Sequence, residues 1–411
     1  MAPSGVGDMV RSVWTSMWMR TNAVAAAPGL MSGTRGRALA AALALLGAAS
    51  IALATSRFEL FPESTRAAEF DEDAGSRRLR LSAGIAALAD TAETAPADRG
   101  PAEEASPAPL PFWERPDVSV DVEAFRPLPP GGIPPRPLFD TRTTLASGGV
   151  LFFAGVYALS SPISYGFEDF HFHSEHWFGP NTYGGGADKV SHFIVSASLA
   201  RELALLYDGF GHTREQSIAL GFGVSAFTGL MVELGDGLGP YGFSWEDLTM
   251  DVLGSATGLF LTAHGLNDVV GLRVGKVPTT VPATESSEYL GSSYSTEIYS
   301  ADLKISGLAR RLEFDPGPAR FLLTSVTYST KGYGYVPPIP DRQRLVGLEL
   351  GLNLPEILSA AGVPATTWWE SLLYKSLNFF RIPYTSFGWR YDLNHNKWHG
   401  PDTGDKYYRR G

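Results

Sequence analysis

The chain has 411 residues and no cysteine. That length suits one or two domains, and the missing thiols exclude disulfides, thiol nucleophiles, thiolate metal sites and a lipid-modified cysteine. The formal net charge of −10, from 33 basic and 43 acidic residues, argues against nucleic acid as a partner, because phosphate binding needs a basic face.

Residues 1–54 form the export segment. Ala38–Ala54 is almost free of polar groups and follows Arg35 and Arg37. It ends in the small-x-small site Ala52-Leu53-Ala54. A basic start, a short apolar run and small residues at the exit make a secretory signal, and the run is short for a spanning helix. An uncleaved anchor helix is the alternative. Translation from Met31 would give a compact signal. Residues 55–138 are rich in Ala, Pro and acids and read as a disordered spacer, with Leu79–Ala89 as an isolated helical patch.

The expected fold is α+β: a bundle of about four apolar helices over residues 139–275, then a small antiparallel β region over 297–411. The helices are expected at Leu145–Ser160, Val190–Tyr207, Gln216–Leu234 and Leu248–His264. Their length is borderline for crossing a membrane, and a bundle against or partly in a membrane is the favoured arrangement. A Thr/Ser/Pro/Glu linker fills 276–296. Beyond it the period becomes two. Tyr299, Ala301, Leu303 and Ile305 alternate with polar residues, and Val346, Leu348, Leu350, Leu352 and Leu354 alternate with Gly347, Glu349, Gly351 and Asn353. Leu322–Tyr328 and Tyr384–Leu393 complete four or five expected strands, and Trp368–Phe380 interrupts them as an amphipathic helix. An outer-membrane β face has the same alternation, but this number of strands is too few for a closed barrel. A small sheet packed on the helices is therefore expected.

Polar residues recur at helical spacing. Asp188 and His192 are four apart, and Ser196 continues their face. Gly221, Ser225 and Gly229 lead to Glu233, while Asp247, Asp251 and Ser255 share a face beside Gly254 and Gly258. Small residues at this spacing let helix backbones approach closely. Polar stripes on apolar helices should face one another, since an unpaired polar group in an apolar setting costs several kcal/mol. Asp188, His192, Glu233 and Asp251 are thus candidate ligands for a divalent metal. Asp188, His192 and Asp247 are the catalytic candidates, with Asp247 as a general base. Structural roles lead these: Asp188 as a helix cap, Ser244 and Asp247 as a variant capping box, and His192 as a core histidine. His171, His173 and His176 form a second candidate metal cluster, set among aromatic residues that suit an interface belt. A phosphate loop, a G-x-S-x-G elbow and an H-E-x-x-H pair are absent from the sequence.

The ordered set Asp188-Lys189-x-x-His192-Phe193, Glu233-x-x-Asp236-Gly237, Gly242-Phe243-Ser244-Trp245-x-Asp247-Leu248 and Asp251-x-x-Gly254 resembles the YfiM-like family of predicted periplasmic lipoproteins, a domain of unknown function. More distantly it is similar to VanZ-like membrane proteins. Gly237, Ser244, Trp245 and Gly254 belong to that motif. The resemblance covers about residues 140–265 and implies a helical module in the cell envelope, with no established reaction. The chain departs from it in lacking the lipoprotein cysteine and in having Asp251 where Asn is common. The function expected is that of a non-enzymatic structural or interaction protein of the envelope, in the periplasm or at the outer membrane. Membrane lipid or envelope proteins are its expected partners. The alternatives are a metal-dependent hydrolase or transferase acting on lipid or cell wall, and a lipid-binding module.

Overall fold

The computed structural model describes residues 110–115, 118–129, 132–276, 294, 297–333 and 342–403. The export segment, the Leu79–Ala89 patch and most of the spacer lie outside these residues. In chain order the helices are α1 (Val118–Asp121), α2 (Thr141–Ala158), α3 (Ser160–Tyr165), α4 (Ala187–Gly209), α5 (Arg214–Gly237) and α6 (Trp245–Ala263), followed by α7 (Ile305–Arg311), α8 (Leu354–Ala360) and α9 (Trp368–Phe379). The strands are β1 (Val270–Lys276), β2 (Glu297–Lys304), β3 (Leu322–Lys331), β4 (Gln343–Leu352), β5 (Ser386–Asp392) and β6 (Lys397–Asp402). They form one antiparallel sheet in the order β1-β2-β3-β4-β5-β6. The fold is therefore α+β, as the change of period implies.

The long helices begin where capping chemistry permits. Asp140 accepts the Thr143 N–H at 2.8 Å to start α2, Thr213 and Gln216 form a reciprocal capping box on α5, and Ser244 caps α6. Helix α4 is different. Gly186, at φ 91°, occupies its N-cap and offers no side chain, so Asp188 is not a cap and its carboxylate is free for other partners.

Three helices meet through small residues. A Cβ on Gly254 would lie 2.1 Å from the Phe193 carbonyl oxygen, and one on Gly258 would lie 2.0 Å from that of Ala197. Only glycine allows α6 to come this close to α4. On the other side Ala200, Ala204, Leu259 and Phe125 form one apolar cluster, and Leu203, Tyr207, Leu220 and Val224 form a second. Phe125 comes from the segment that composition assigned to the spacer. The end of that segment is ordered because its side chains find partners on α4. Glu123 pairs with Arg201 at 3.2 Å, and Arg126 with Asp208 at 3.0 Å.

Among the described residues the sheet has six strands rather than four or five. Two were not legible as alternation: β1 is short and carries Gly271, Gly275 and Arg273, and β6 contains Gly400 and Pro401. Helix α4 packs on one corner of the sheet, where Ala187 and Ile194 meet Tyr299 and the flanking Leu272, Val274 and Tyr328.

Replacing Gly258 with Val should destabilise the protein by about 1–3 kcal/mol through overpacking, read as a lowered denaturation midpoint. Gly148 on α2 has open space around it, so Gly148→Ala should instead raise stability by roughly 0.5–1 kcal/mol through helix propensity. Equal effects at the two positions would refute the close-contact account of the α4–α6 seam.

Candidate functional site: an acid–histidine centre between three helices

The first turns of α4 and α6 and the last turns of α5 converge on one point. His192, on the second turn of α4, is its hub. Its Nδ1 donates to Asp251 Oδ2 at 3.1 Å, and Asp251 Oδ1 accepts from Ser196 Oγ at 2.6 Å. The other ring nitrogen, Nε2, faces Asp188 Oδ1 at 3.8 Å and Asp247 Oδ1 at 4.0 Å. Glu233 completes the set, its Oε2 accepting the Ser244 N–H at 2.9 Å. Asp188, His192 and Asp247 offer ligand atoms all within 4.8 Å of one another, and so do His192, Glu233 and Asp251. Gly229 gives this approach its room: a Cβ there would lie 2.4 Å from Asp251 Oδ2.

The sequence stripes thus place all five candidates together. Asp247 also fills the position in the capping motif expected of it, its N–H reaching Ser244 Oγ at 3.2 Å. Capping uses the Asp247 backbone and leaves its carboxylate to the centre.

Three further residues belong here that sequence reasoning did not single out. Lys189 Nζ donates to Glu175 at 2.5 Å, to Asp247 at 2.7 Å and to Asp188 at 3.0 Å. Glu175 lies in the sequence between His173 and His176. Tyr294 donates its hydroxyl to Asp188 Oδ1. The one available signal was Lys189 itself, an ammonium at the head of a helix expected to be buried, which demands an acidic partner.

Electrostatics follow from this arrangement. Burial opposes ionisation of Asp188, but His192 and Lys189, with the Tyr294 hydrogen bond, hold its carboxyl below the usual carboxylate range. Burial also opposes charging of His192, yet the bond to Asp251 and the charges of Asp251, Asp188 and Asp247 raise its pKa well above that of a free imidazole. One ammonium cannot satisfy three carboxylates. Burial and the neighbouring Asp188 push Glu175 up to about 8. Burial and Asp188 likewise push Asp247 up to about 6.

The second histidine cluster is arranged differently. His171 Nδ1 lies 3.1 Å from the Asp169 carbonyl oxygen, and His176 has φ 55°. His171 and His173 flank Gly242. None of His171, His173 and His176 joins the two ligand sets above. Their surroundings are aromatic, with Phe172 stacked on Trp245 at 6.1 Å and edge-on to Phe243. Trp245 and Phe172 are thus exposed members of an aromatic cluster on the buried Phe243, and Gly237 packs against the Phe170 ring.

The family described as predicted periplasmic lipoprotein (DUF2279) matches residues 174–263. This stretch holds α4, α5 and α6 and every member of the centre except Tyr294. The description agrees with an exported, cell-envelope location. No curated protein and no solved structure matches the chain.

Glu175 binds its proton more tightly folded than unfolded, so its stabilising contribution is complete below its unfolded pKa near 4.5 and is lost as pH rises toward about 8. Asp247 acts in the same sense over its lower range. In the presence of a chelator, the urea midpoint should therefore fall as pH increases between those limits. Glu175→Gln should flatten that slope, and an unchanged slope would contradict the assignment.

Proposed function

We propose that this chain is a structural or interaction component of the cell envelope, and that a divalent cation at the acid–histidine centre closes its helical module. One observation carries this reading: two carboxylate oxygens face His192 Nε2 at 3.8 and 4.0 Å. Both distances are too long for hydrogen bonds. They are close to the spacing of ligands around a shared ion, whose own bonds run at about 2.0–2.2 Å. The opposite ring nitrogen is held by Asp251, and a carboxylate on Nδ1 is the arrangement that orients a histidine to ligate through Nε2. Asp188, His192 and Asp247 would be the ligands, with Glu233 alongside.

Charge supports the same conclusion. Among the described residues, Glu175, Asp188, Glu233, Asp236, Asp247 and Asp251 interact around two cationic groups, Lys189 and His192. Excess buried acid must take protons or a cation. One imidazole with several carboxylates suits zinc, manganese or ferrous iron. For a hydrolytic use of the ion, Asp247 is the candidate base. Asp247 is instead bound to Lys189 Nζ at 2.7 Å, which favours the structural reading. The export segment and the description of the matched family support the envelope location.

Protein purified without chelator should carry close to one metal ion per chain by elemental analysis. Its Tm should fall with EDTA and recover with added zinc or manganese. His192→Ala should abolish both effects, and Asp251→Asn should weaken metal binding by roughly 10–100-fold, as loss of an orienting carboxylate does. Metal-free protein whose Tm ignores both chelator and added metal would sink the proposal.

A further inference from the structure

The sheet is built inside out for a protein in water. Its covered face is charged. Asp302 is paired with Arg273 and accepts from Ser325 Oγ at 2.6 Å. Glu349 is paired with both Arg381 and Arg390, and Arg390 reaches Asp402 at 3.0 Å. All these side chains are buried. The opposite face is apolar and mostly uncovered. Strand register aligns Ala301, Val326, Leu348 and Trp389 in one row and Leu303, Thr324, Leu350 and Phe387 in the next. Neither row contains a charge. Val326 is 53% exposed, Leu348 58%, Trp389 51% and Phe387 50%. Helix α4 covers only the corner at Tyr299 and Tyr328.

The helices repeat the pattern. Phe152, Phe153 and Tyr157 on α2, Phe222 and Phe227 on α5, and Leu253 and Phe260 on α6 are exposed. The segments Thr141–Tyr165 and Arg214–Gly237 are long and apolar enough to cross a membrane, and only 22% and 39% of their apolar windows are buried. A helix apolar on its outer side as well as its inner one is expected where the surroundings are themselves apolar.

We propose that the uncovered face of the sheet and the outward faces of α2, α5 and α6 are seated in the hydrocarbon of a lipid membrane. Four features favour lipid over a protein partner. The apolar surface is spread over the sheet and three helices, whereas a standard protein interface takes one patch of about 800 Å² per partner. Asp302, Glu349 and their arginine partners are turned inward and paired, as hydrocarbon surroundings require. The sheet's alternation, apolar outward and polar inward, is the pattern of a lipid-facing β surface. Trp177 and Trp245, exposed beside Phe167, Phe170 and Phe172, offer the amphipathic rings that settle at a membrane–water boundary.

The chain has no cysteine, so single cysteines can report on this surface directly. Val326→Cys, Leu348→Cys and, as a polar control, Asp315→Cys would be made in the full chain and isolated in membranes. The membranes would be washed with high salt and with alkaline carbonate, and the protein should remain in the pellet until detergent is added. An environment-sensitive fluorophore at 326 or 348, attached after detergent extraction and followed by reconstitution into phosphatidylcholine vesicles, should emit blue-shifted light and be quenched by brominated phospholipid. The same fluorophore at 315 should not. A water-soluble maleimide should react at 326 and 348 at least about tenfold more slowly than at 315 in intact membranes, since lipid-facing positions lack water. Release by salt or carbonate would overturn the proposal. So would equal maleimide rates, or protection at 326 and 348 that persists in lipid-free buffer through self-association or a bound protein. Repeating the measurements with EDTA separates the two readings, because loss of the cation should leave lipid quenching at 326 and 348 in place.

Discussion

The Lys189 ammonium lies within 3.0 Å of carboxylates on α4, on α6 and in the segment before α4. It has almost no contact with solvent, so its charge is balanced by the protein or not at all. The rest of the helical module is arranged to satisfy it. Asp188 must be free of capping duty, which Gly186 ensures by taking the N-cap in a left-handed conformation. Asp247 must face inward from the first turn of α6, which the Ser244 cap fixes. The helices must then pass close enough for their acids to meet, which Gly229, Gly254 and Gly258 permit. Removing one partner from such a set leaves an uncompensated buried charge, so the members are tied together more strongly than isolated surface pairs would be.

The same constraint governs the sheet. Arg273 with Asp302, and Glu349 with Arg381 and Arg390, are fully enclosed ion pairs on its covered face. Lys304 follows the rule with neutral partners, donating to the Asn267 carbonyl at 2.8 Å and to Asn378 Oδ1 at 2.9 Å. Burial is the first cause lowering its pKa. The covered face therefore gains its order from directional hydrogen bonds as much as from apolar packing. Among the described residues, buried charge forms two prominent networks, one between helices and one behind the sheet.

Much of this was legible in the sequence because periodicity records which side of an element is apolar. The four long helices and the strands around Tyr299, Leu322, Val346 and Trp389 follow from it. So does the meeting of Asp188, His192, Glu233 and Asp251, since polar stripes in apolar helices have nowhere else to go. Periodicity does not record which side of a strand is covered. Leu348 and Leu350 alternate with Gly347 and Glu349, and the ordinary reading turns the leucines inward. Here Glu349 is buried and the leucines are exposed, because two arginines from Arg381 and β5 supply its charge. The sequence also could not reveal Glu175 and Tyr294 as partners of the centre. They reach it from outside the helix pattern, through loop geometry that no spacing rule encodes.

Interior charge and an apolar exterior depend on each other. A buried acid cluster in a protein surrounded by water can be relieved by a small opening that admits solvent. Where the outer shell is hydrocarbon-like on the sheet and on three helices, that relief is available only at the ends of the elements. The acid–histidine centre sits at such an end, beside the first turns of α4 and α6 and beneath the aromatic cluster of Phe172, Phe243 and Trp245. His192 is the one member of its hydrogen-bonded trio with Asp251 and Ser196 that keeps partial exposure, about a fifth of its side chain. Solvent can therefore reach the His192 ring, while Asp251 and Ser196 stay buried behind it. The position of the centre at the helix ends is thus what makes it chargeable.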